Sequence, residues 1–363
     1  MMILLFDTID PRKLCLLILL SFFSYSIHAQ QAGKELFNQD WEFQLGDFKL
    51  DEAQSLKENW RAVELPHDWS IEGPFSPEWA SGTGFLPGGI GWYKKEFSID
   101  DYNEEHKYAI YFDGVYKNSE VWINGEYLGK RPFGFIPFQY DLTPYLTKDN
   151  NTIFVKVDHE NYADARYYTG SGIYRNVYLL TSNPIHFAQW GVFFHTPEIK
   201  ESNAVAKLEI ELEQQLQSQI DIDIKAVIKD SDGSTVAEKN QVISAKKGRD
   251  SQGKMDFNIP EPQLWSPDQP NLYTLEIELW AEDKLMDRWT EKVGIRDFHF
   301  DASEGFFLNG EPTLLKGVCI HHDAGALGAA VPKEVWRNRL ATLKELGSNA
   351  IRMSHYPHQD YIY

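Results

Sequence analysis

The sequence predicts a mainly β protein of several domains, with two β-sandwiches in succession and then the beginning of a parallel β/α unit. Three observations predict it. Apolar and polar residues alternate over many short segments up to about residue 300. Gly, Pro and Asn separate these segments, and no long 3.6-residue period occurs among them. Beyond residue 301 the pattern changes to strand, helix and strand, which is typical of a βαβ unit.

The N-terminus resembles a secretion signal. Arg12 and Lys13 provide a positive flank, Leu14–Ile27 is an apolar run, and Ala29 ends a suitable cleavage site. The run is too short to span a membrane. We therefore expect a signal peptide over residues 1–29, a secreted or periplasmic protein, and no stable membrane anchor.

Composition excludes some classes of partner. The chain has 54 acidic and 35 basic residues and a net charge of −19, so it repels phosphate backbones and we expect no nucleic-acid partner. A hydrophobic fraction of 42% is enough for sizeable cores. Of the two cysteines, Cys15 would leave with the signal peptide and Cys319 would remain, so the mature chain has no internal disulfide.

The first domain is predicted over residues 30–182. Tyr108–Phe112, Ser119–Ile123 and Ile153–Val157 have strand character. Asn124-Gly125 directly follows the second of these segments and is a strong hairpin signal, because both residues tolerate a positive φ. Many short strands with such turns indicate a β-sandwich.

The second domain is predicted over residues 183–300. Its alternating segments are Ala206–Leu216, Ile220–Ile228 and Leu272–Trp280. Asp232-Gly233 provides a turn, and the polar stretch Lys246–Lys254 is interpreted as a surface loop. The number and spacing of the strands suit an immunoglobulin-like sandwich.

The third block covers residues 301–363. Thr313–Ile320 is an apolar run that predicts a buried strand. Val335–Leu346 has helical periodicity, Gly347 is a natural helix stop, and Ala350 opens a second strand.

Seven motifs follow one another along the chain: Phe112–Gly125, Thr169–Val177, Leu264–Tyr273, Gly294–Arg296, Phe307–Pro312, Gly317–Asp323 and Asn349–Pro357. In this order they resemble glycoside hydrolase family 2, and its β-galactosidase branch in particular. The resemblance implies a jelly-roll sugar-binding domain, then an immunoglobulin-like domain, then the first strands of a truncated (β/α)₈ TIM barrel. It also implies a retaining enzyme that hydrolyses terminal β-galactosides of oligo- or polysaccharides without a cofactor, and it is compatible with a homo-oligomer in the full-length form.

The resemblance places both catalytic glutamates on later barrel strands, so we expect neither in this chain and no activity from the chain alone. Retaining hydrolysis needs two carboxylates about 5–5.5 Å apart. Glu304 and Glu311 precede the barrel and Asp360 follows the second strand, and we interpret all three as solvated charges.

Substrate-binding candidates follow the two predicted parallel strands, whose C-terminal ends meet at one rim. His321 and His322 come after the first strand, and Arg352 and His355 come at the end of the second. The resemblance implies that His321 and His355 contact the sugar and that Arg352 holds the carboxylates in place.

Other candidates depend on weaker signals. His322 and Asp323 adjoin the first histidine, and Asp164 and Arg166 lie in a jelly-roll loop that reaches the barrel mouth in the family. For each of them the competing interpretation is an ordinary polar surface residue. A metal site at His321-His322-Asp323 is not expected, because neighbouring side chains on a strand point to opposite faces.

Other functions remain open at this point. β-Glucuronidase and β-mannosidase specificities belong to the same family. A carbohydrate-binding module without catalysis is also possible, although such a module has no reason to include an unfinished βαβ unit.

Overall fold

The computed structural model describes residues 33–161, 165–200, 202–215, 218–246 and 251–363. The predicted signal peptide and Asp164 lie outside these ranges. Within them, no helix combines the length and the apolar character needed to cross a bilayer.

The first domain is a sandwich of two antiparallel sheets. Its strands are β1 (Lys34–Leu36), β2 (Trp41–Leu45), β3 (Arg61–Val63), β4 (Gly89–Phe97), β5 (Lys107–Phe112), β6 (Ser119–Ile123), β7 (Glu126–Arg131), β8 (Phe138–Asp141), β9 (Asn151–His159) and β10 (Val177–Ser182). One sheet has the order β1-β10-β5-β8, and the other has the order β3-β2-β4-β9-β6-β7. A short helix, α1 (Leu50–Ser55), lies between β2 and β3.

The predicted strands of this domain are confirmed, and their alternation is what buries the core. In β6, Ser119, Val121 and Ile123 point inward while the two residues between them are only half-buried. The following Asn124 and Gly125 have φ values of 50° and 90°, the positive pair that a two-residue hairpin turn needs. The prediction of a β-sandwich is therefore confirmed for the described residues.

The second domain is another sandwich, and its described residues form seven strands. They are β11 (Ile185–Lys200), β12 (Asn203–Gln214), β13 (Ile220–Lys229), β14 (Thr235–Ala245), β15 (Ser251–Pro260), β16 (Tyr273–Ala281) and β17 (Lys284–Val293). A three-stranded sheet, β11-β12-β15, faces a four-stranded sheet, β14-β13-β16-β17. Seven strands in sheets of three and four agree with the predicted immunoglobulin-like sandwich.

One prediction in this domain was wrong. The segment Lys246–Lys254 was interpreted as a loop, but its last four residues, from Ser251, already belong to β15 and pair with β12. Gly253 explains the error, because it occupies an inward position without an apolar side chain. A Cβ there would lie 2.8 Å from Cδ1 of Ile224 in the facing sheet, so a larger residue would require the end of that side chain to shift.

The third block contains a small antiparallel sheet and then a parallel pair. Its elements are β18 (Phe298–Asp301), β19 (Gly305–Leu308), β20 (Glu311–Pro312), β21 (Gly317–Ile320), the helix α2 (Lys333–Glu345) and β22 (Ala350–Met353). β21 and β22 pair in parallel, with Ile320 opposite Met353. Gly347, with φ +87°, ends the helical region as predicted. The predicted βαβ unit is confirmed.

The first strand of this unit differs from its prediction. Thr313–Ile320 was expected to be a buried strand, but β21 begins at Gly317 and, of its residues, Ile320 alone is buried. Leu314 is 75% exposed and Leu315 is 48% exposed. An apolar run reports the tendency of a segment to be buried, and burial also requires that other elements cover both of its faces.

Candidate functional site

Two histidines meet where the parallel strands end. His321 directly follows β21, and His355 lies two residues beyond β22. The Ser354 N–H donates to the Ile320 carbonyl at 2.9 Å, which continues the parallel register past the strand ends. The two imidazole centroids are 5.3 Å apart. The structure therefore brings the two principal sequence candidates together at one rim, as predicted.

Tyrosine rings frame this histidine pair. Tyr167, from the jelly-roll domain, has its ring centroid 4.8 Å from that of His321 and 5.7 Å from that of His355. The Tyr356 hydroxyl lies 3.5 Å from His321 Nδ1. His355 remains exposed and His321 half-buried, so the rings are fixed on one side and accessible on the other.

Arg352 fixes the tautomer of His355. Its Nη1 donates to Ser354 Oγ at 2.8 Å, and its Nη2 lies 3.3 Å from His355 Nδ1. A guanidinium has donors only, so Nδ1 must accept and the ring proton lies on Nε2. His355 thus offers an N–H donor on the side away from Arg352, which suits a ligand hydroxyl.

His322 points the other way, into the protein. It is 4% exposed, and its ring lies 4.8 Å from the Tyr356 ring and 5.1 Å from the Tyr174 ring. Burial, followed by the nearby charge of Arg175, lowers the pKa of His322 well below its usual value. The structure therefore places this candidate, in its neutral form, in the packing between two domains.

Arg175 joins the jelly-roll domain to the rim. Its side chain is buried, and it donates to the carbonyls of Pro357 at 2.7 Å and Phe135 at 3.3 Å. The Phe135 ring stacks on Tyr356 with centroids 4.0 Å apart. These contacts hold the segment that carries His355. Arg175 lies within a motif quoted above, but no local pattern showed that its partner is 182 residues away.

Asp68 is a second link between the domains. Its buried carboxylate accepts from the backbone N–H groups of Ser70 at 3.1 Å, Ser171 at 2.9 Å and Ala329 at 2.9 Å, and from the Tyr168 hydroxyl at 2.6 Å. Ala329 belongs to the loop between β21 and α2, which also carries His321. Burial raises the pKa of Asp68 and these four donors oppose that rise. Sequence reasoning missed this residue.

The remaining candidates lie around the rim. The half-buried Asp323 follows His321 by two positions, and its backbone carbonyl accepts from Arg339 at 3.1 Å. Arg166 is exposed. Its neighbour Tyr167 is the residue of this loop whose ring lies against the histidines. Across the part of the chain that the structure describes, no three His, Cys, Asp or Glu side chains form a group that could hold a metal ion.

The arrangement can bind a polar ligand through two imidazoles, a guanidinium and aromatic faces. Hydrolysis by double displacement would need two facing carboxylates in addition. Asp68 cannot act as one of them, because four donors occupy its buried oxygens.

Models of one family's domains match most of the chain in consecutive order. Residues 35–184 match the sugar-binding domain of glycosyl hydrolases family 2, residues 188–296 match a second domain of that family, and residues 301–363 match its TIM-barrel domain. The fold is therefore mainly β, with the sugar-binding jelly roll, the immunoglobulin-like domain and the start of the TIM barrel.

Named relatives agree with these matches. A β-galactosidase of Bacteroides ovatus, BoGH2A, is 45% identical over 325 residues, which are 88% of this chain and 38% of the relative. A β-glucuronidase of Formosa agariphila is 32% identical over 88% of this chain and 35% of its own length.

A solved structure shows the same fold. The crystal structure of a β-glycosidase from Bacteroides vulgatus superposes with a TM-score of 0.83 at 43% identity, over 91% of this chain and 42% of that one. The chain thus spans about two fifths of the length of these relatives. The chain belongs to glycoside hydrolase family 2.

Proposed function

We propose that this chain forms the sugar-binding rim of a retaining glycosidase that acts on terminal β-galactosides of oligo- or polysaccharides. The observation that carries the proposal is the pair His321 and His355, whose rings lie 5.3 Å apart at the ends of adjacent parallel strands. The relative named a β-galactosidase supports the choice of galactose.

The chemistry follows from the charge that develops during glycoside cleavage. The transition state resembles an oxocarbenium ion, and hydrogen bonds to the hydroxyls of the sugar strengthen as it forms. In our proposal His355 donates from Nε2 and His321 from the accessible edge of its ring, while Arg352 keeps His355 in the required tautomer. The nucleophile and the acid/base are two glutamates outside these 363 residues, so the chain alone does not hydrolyse its ligand.

A β-glucuronidase is the second candidate, because a relative of similar coverage carries that name. A β-mannosidase is a further possibility within the family. A binding module without catalysis is disfavoured, since the parallel pair β21 and β22 would have no purpose in a sandwich lectin.

We further propose that residues 1–29 direct export and are then removed. The motivation is the positive flank and the apolar run of the sequence. N-terminal sequencing of the exported protein should give Gln30 as the first residue, and an exported protein that retains Met1 would overturn the proposal.

Ligand-observed NMR on the 363-residue chain tests the specificity. Methyl β-galactoside, methyl β-glucuronide and methyl β-mannoside are compared by saturation transfer, which detects weak binding. We expect the strongest transfer to the galactoside, and a loss of affinity of about twofold to tenfold in His355→Ala, because a hydrogen bond in the rim disappears. The matched control is His299→Ala, which removes an exposed histidine of β18. Preferred binding of the glucuronide would replace our assignment with the second candidate.

A further inference from the structure

A cavity of about 250 Å³ lies on the second domain, over the three-stranded sheet of β11, β12 and β15. Its volume is close to the lower end of the range for small-molecule sites, about 300 Å³. The histidine rim belongs to the first and third domains, so this cavity is a separate feature. The side chains that matter here are Trp190, Phe193, Glu209, Glu211, Gln252 and Lys254.

An exposed tryptophan forms one side of the cavity. Trp190 is 65% exposed, and its φ of 57° is rare for a bulky side chain. Residues 188–191 of β11 bulge opposite the single residue Glu211 of β12. A Cβ on Gly191 would lie 2.5 Å from the Glu211 carbonyl oxygen, so glycine lets the bulge approach β12 closely. The bulge therefore holds a large indole in solvent at a conformational cost, a feature that is concentrated at functional sites.

Phe193 provides a second aromatic face beside the same cavity. It is 58% exposed, and its ring stacks on that of His195 with centroids 4.8 Å apart. Residues 190 and 193 of a regular strand would point to opposite faces of the sheet, because successive side chains alternate. The bulge changes this alternation, and both aromatic residues line one concavity.

Polar side chains in fixed pairs complete the lining. Lys254 donates to Glu209 at 2.8 Å, and the Gln252 amide donates to Glu211 at 3.1 Å. Each pair joins neighbouring residues on β12 and β15. The cavity thus offers carboxylate oxygens as acceptors and N–H groups as donors. Lys254 balances the charge of Glu209, and Glu211 leaves one negative charge at the site.

This combination suits a neutral sugar. A pyranose ring has an apolar face of C–H groups, which packs on the electron-rich face of an aromatic ring, and hydroxyls at its edge that both donate and accept. An apolar peptide would remove water from the two polar pairs without replacing its hydrogen bonds. An anionic polymer is repelled by Glu211 and by the net charge of −19.

We propose that this surface is a second carbohydrate site, which binds neutral sugar units of a polysaccharide at a distance from the histidine rim. Trp190 and Phe193 contact the apolar faces of the sugar rings, and Glu211 and Gln252 form hydrogen bonds with hydroxyls. The site holds the polymer on the protein while the rim takes a chain end. The inference goes beyond the proposed function and does not depend on it, because its residues belong to another domain.

Affinity electrophoresis of the 363-residue chain in native gels tests the proposal. The neutral polymers are β-1,4-galactan, galactomannan and hydroxyethylcellulose, and polygalacturonate is the anionic comparison. With a net charge of −19 the chain migrates toward the anode, and binding appears as slower migration than in a gel without polymer. We expect retardation by at least one neutral polymer and none by polygalacturonate.

Variants locate the binding. Trp190→Ala and Phe193→Ala should each weaken the retardation, by about tenfold in affinity for the tryptophan, because the apolar contact is lost. Trp190→Phe should retain part of it, since an aromatic face remains. Phe298→Ala, which removes a phenylalanine of β18 with 54% exposure, is the matched control and should change nothing.

The rim variant separates the two carbohydrate sites. His355→Ala should keep the retardation by the neutral polymer, and Trp190→Ala should keep the saturation transfer to methyl β-galactoside. If Trp190→Ala lowers the Tm, Phe193→Ala decides, because Phe193 lies at a regular position of β11.

Four results would overturn the proposal. They are the absence of retardation by every neutral polymer, retardation that survives both aromatic variants, equal retardation by polygalacturonate, and self-association in sedimentation that is lost in Trp190→Ala, which would make the face a protein interface. If a neutral polymer binds through Trp190 and no methyl glycoside binds at the rim, the second site stands and the proposed function is wrong.

Discussion

Replacing Asp68 by asparagine should loosen the barrel loop that carries His321. In the wild type, Oδ1 accepts from the Ser70 and Ser171 N–H groups, and Oδ2 accepts from the Tyr168 hydroxyl and the Ala329 N–H. The best orientation of the asparagine keeps its oxygen on the first pair and turns its NH₂ toward the second. The Tyr168 hydroxyl can rotate and become an acceptor, but the Ala329 N–H then faces another donor.

The expected loss of stability follows from these hydrogen bonds. One hydrogen bond to a charged acceptor is lost and one buried N–H is left without a partner, which together destabilise the link by about 2–4 kcal/mol. Relief of the buried charge, whose unfavourable desolvation raises the pKa of Asp68, opposes this loss and favours the lower end of the range.

Hydrogen exchange measured by mass spectrometry is the assay, because it reports local opening. A loss of 2–4 kcal/mol should accelerate exchange at Ala329 about 30- to 1,000-fold. Asp287→Asn is the matched control. Asp287 is a buried carboxylate of the second domain that accepts from the Phe187 N–H at 3.0 Å, so its replacement should affect exchange there and leave Ala329 unchanged. The reasoning would be refuted if the Asp68→Asn variant exchanged at Ala329 at a rate within about threefold of the wild-type rate.

Three other predictions concern the pH dependence, activity and association of the chain. The pKa of His322 is lowered in the folded state, so its contribution to stability is present above about pH 6.5 and is lost as the pH falls, by up to about 1.4 kcal/mol per unit. His322→Phe should therefore lose less stability than wild type between pH 7 and pH 5 in urea denaturation, and an equal loss would contradict the assignment. The purified chain should release no nitrophenol from an aryl β-galactoside above a mock purification, and clear turnover would mean that the catalytic residues are misplaced. Leu314 and Leu346 are exposed by 75% and 77%, so the chain should self-associate in a concentration-dependent way in sedimentation; Leu314→Lys with Leu346→Lys should reduce this, and a strictly monomeric wild type would argue against it.

Much of the fold could be predicted from the sequence because local patterns carry it. Alternation along β6 and β12 places their apolar residues on one face of a sheet, whatever the rest of the chain does. The wrong loop prediction at the start of β15 also arose because sequence reasoning depends on local patterns. Gly253 has no side chain to mark its inward position, and its packing against Ile224 is a contact between sheets.

Some features of the candidate site could likewise be predicted from local patterns, and others could not. The sequence determined that His321 and His355 share a rim, because parallel strands bring their C-terminal ends to one edge. Only the tertiary structure decided that His322 is buried between domains, that Tyr167 frames the histidines, and that Asp68 holds the barrel loop. Asp68 and Ala329 are 261 residues apart in the chain, and no periodicity or spacing encodes a contact over that separation. Such contacts depend on how the domains pack together, and that packing sets the burial, the hydrogen-bond partners and the pKa of each group at the site.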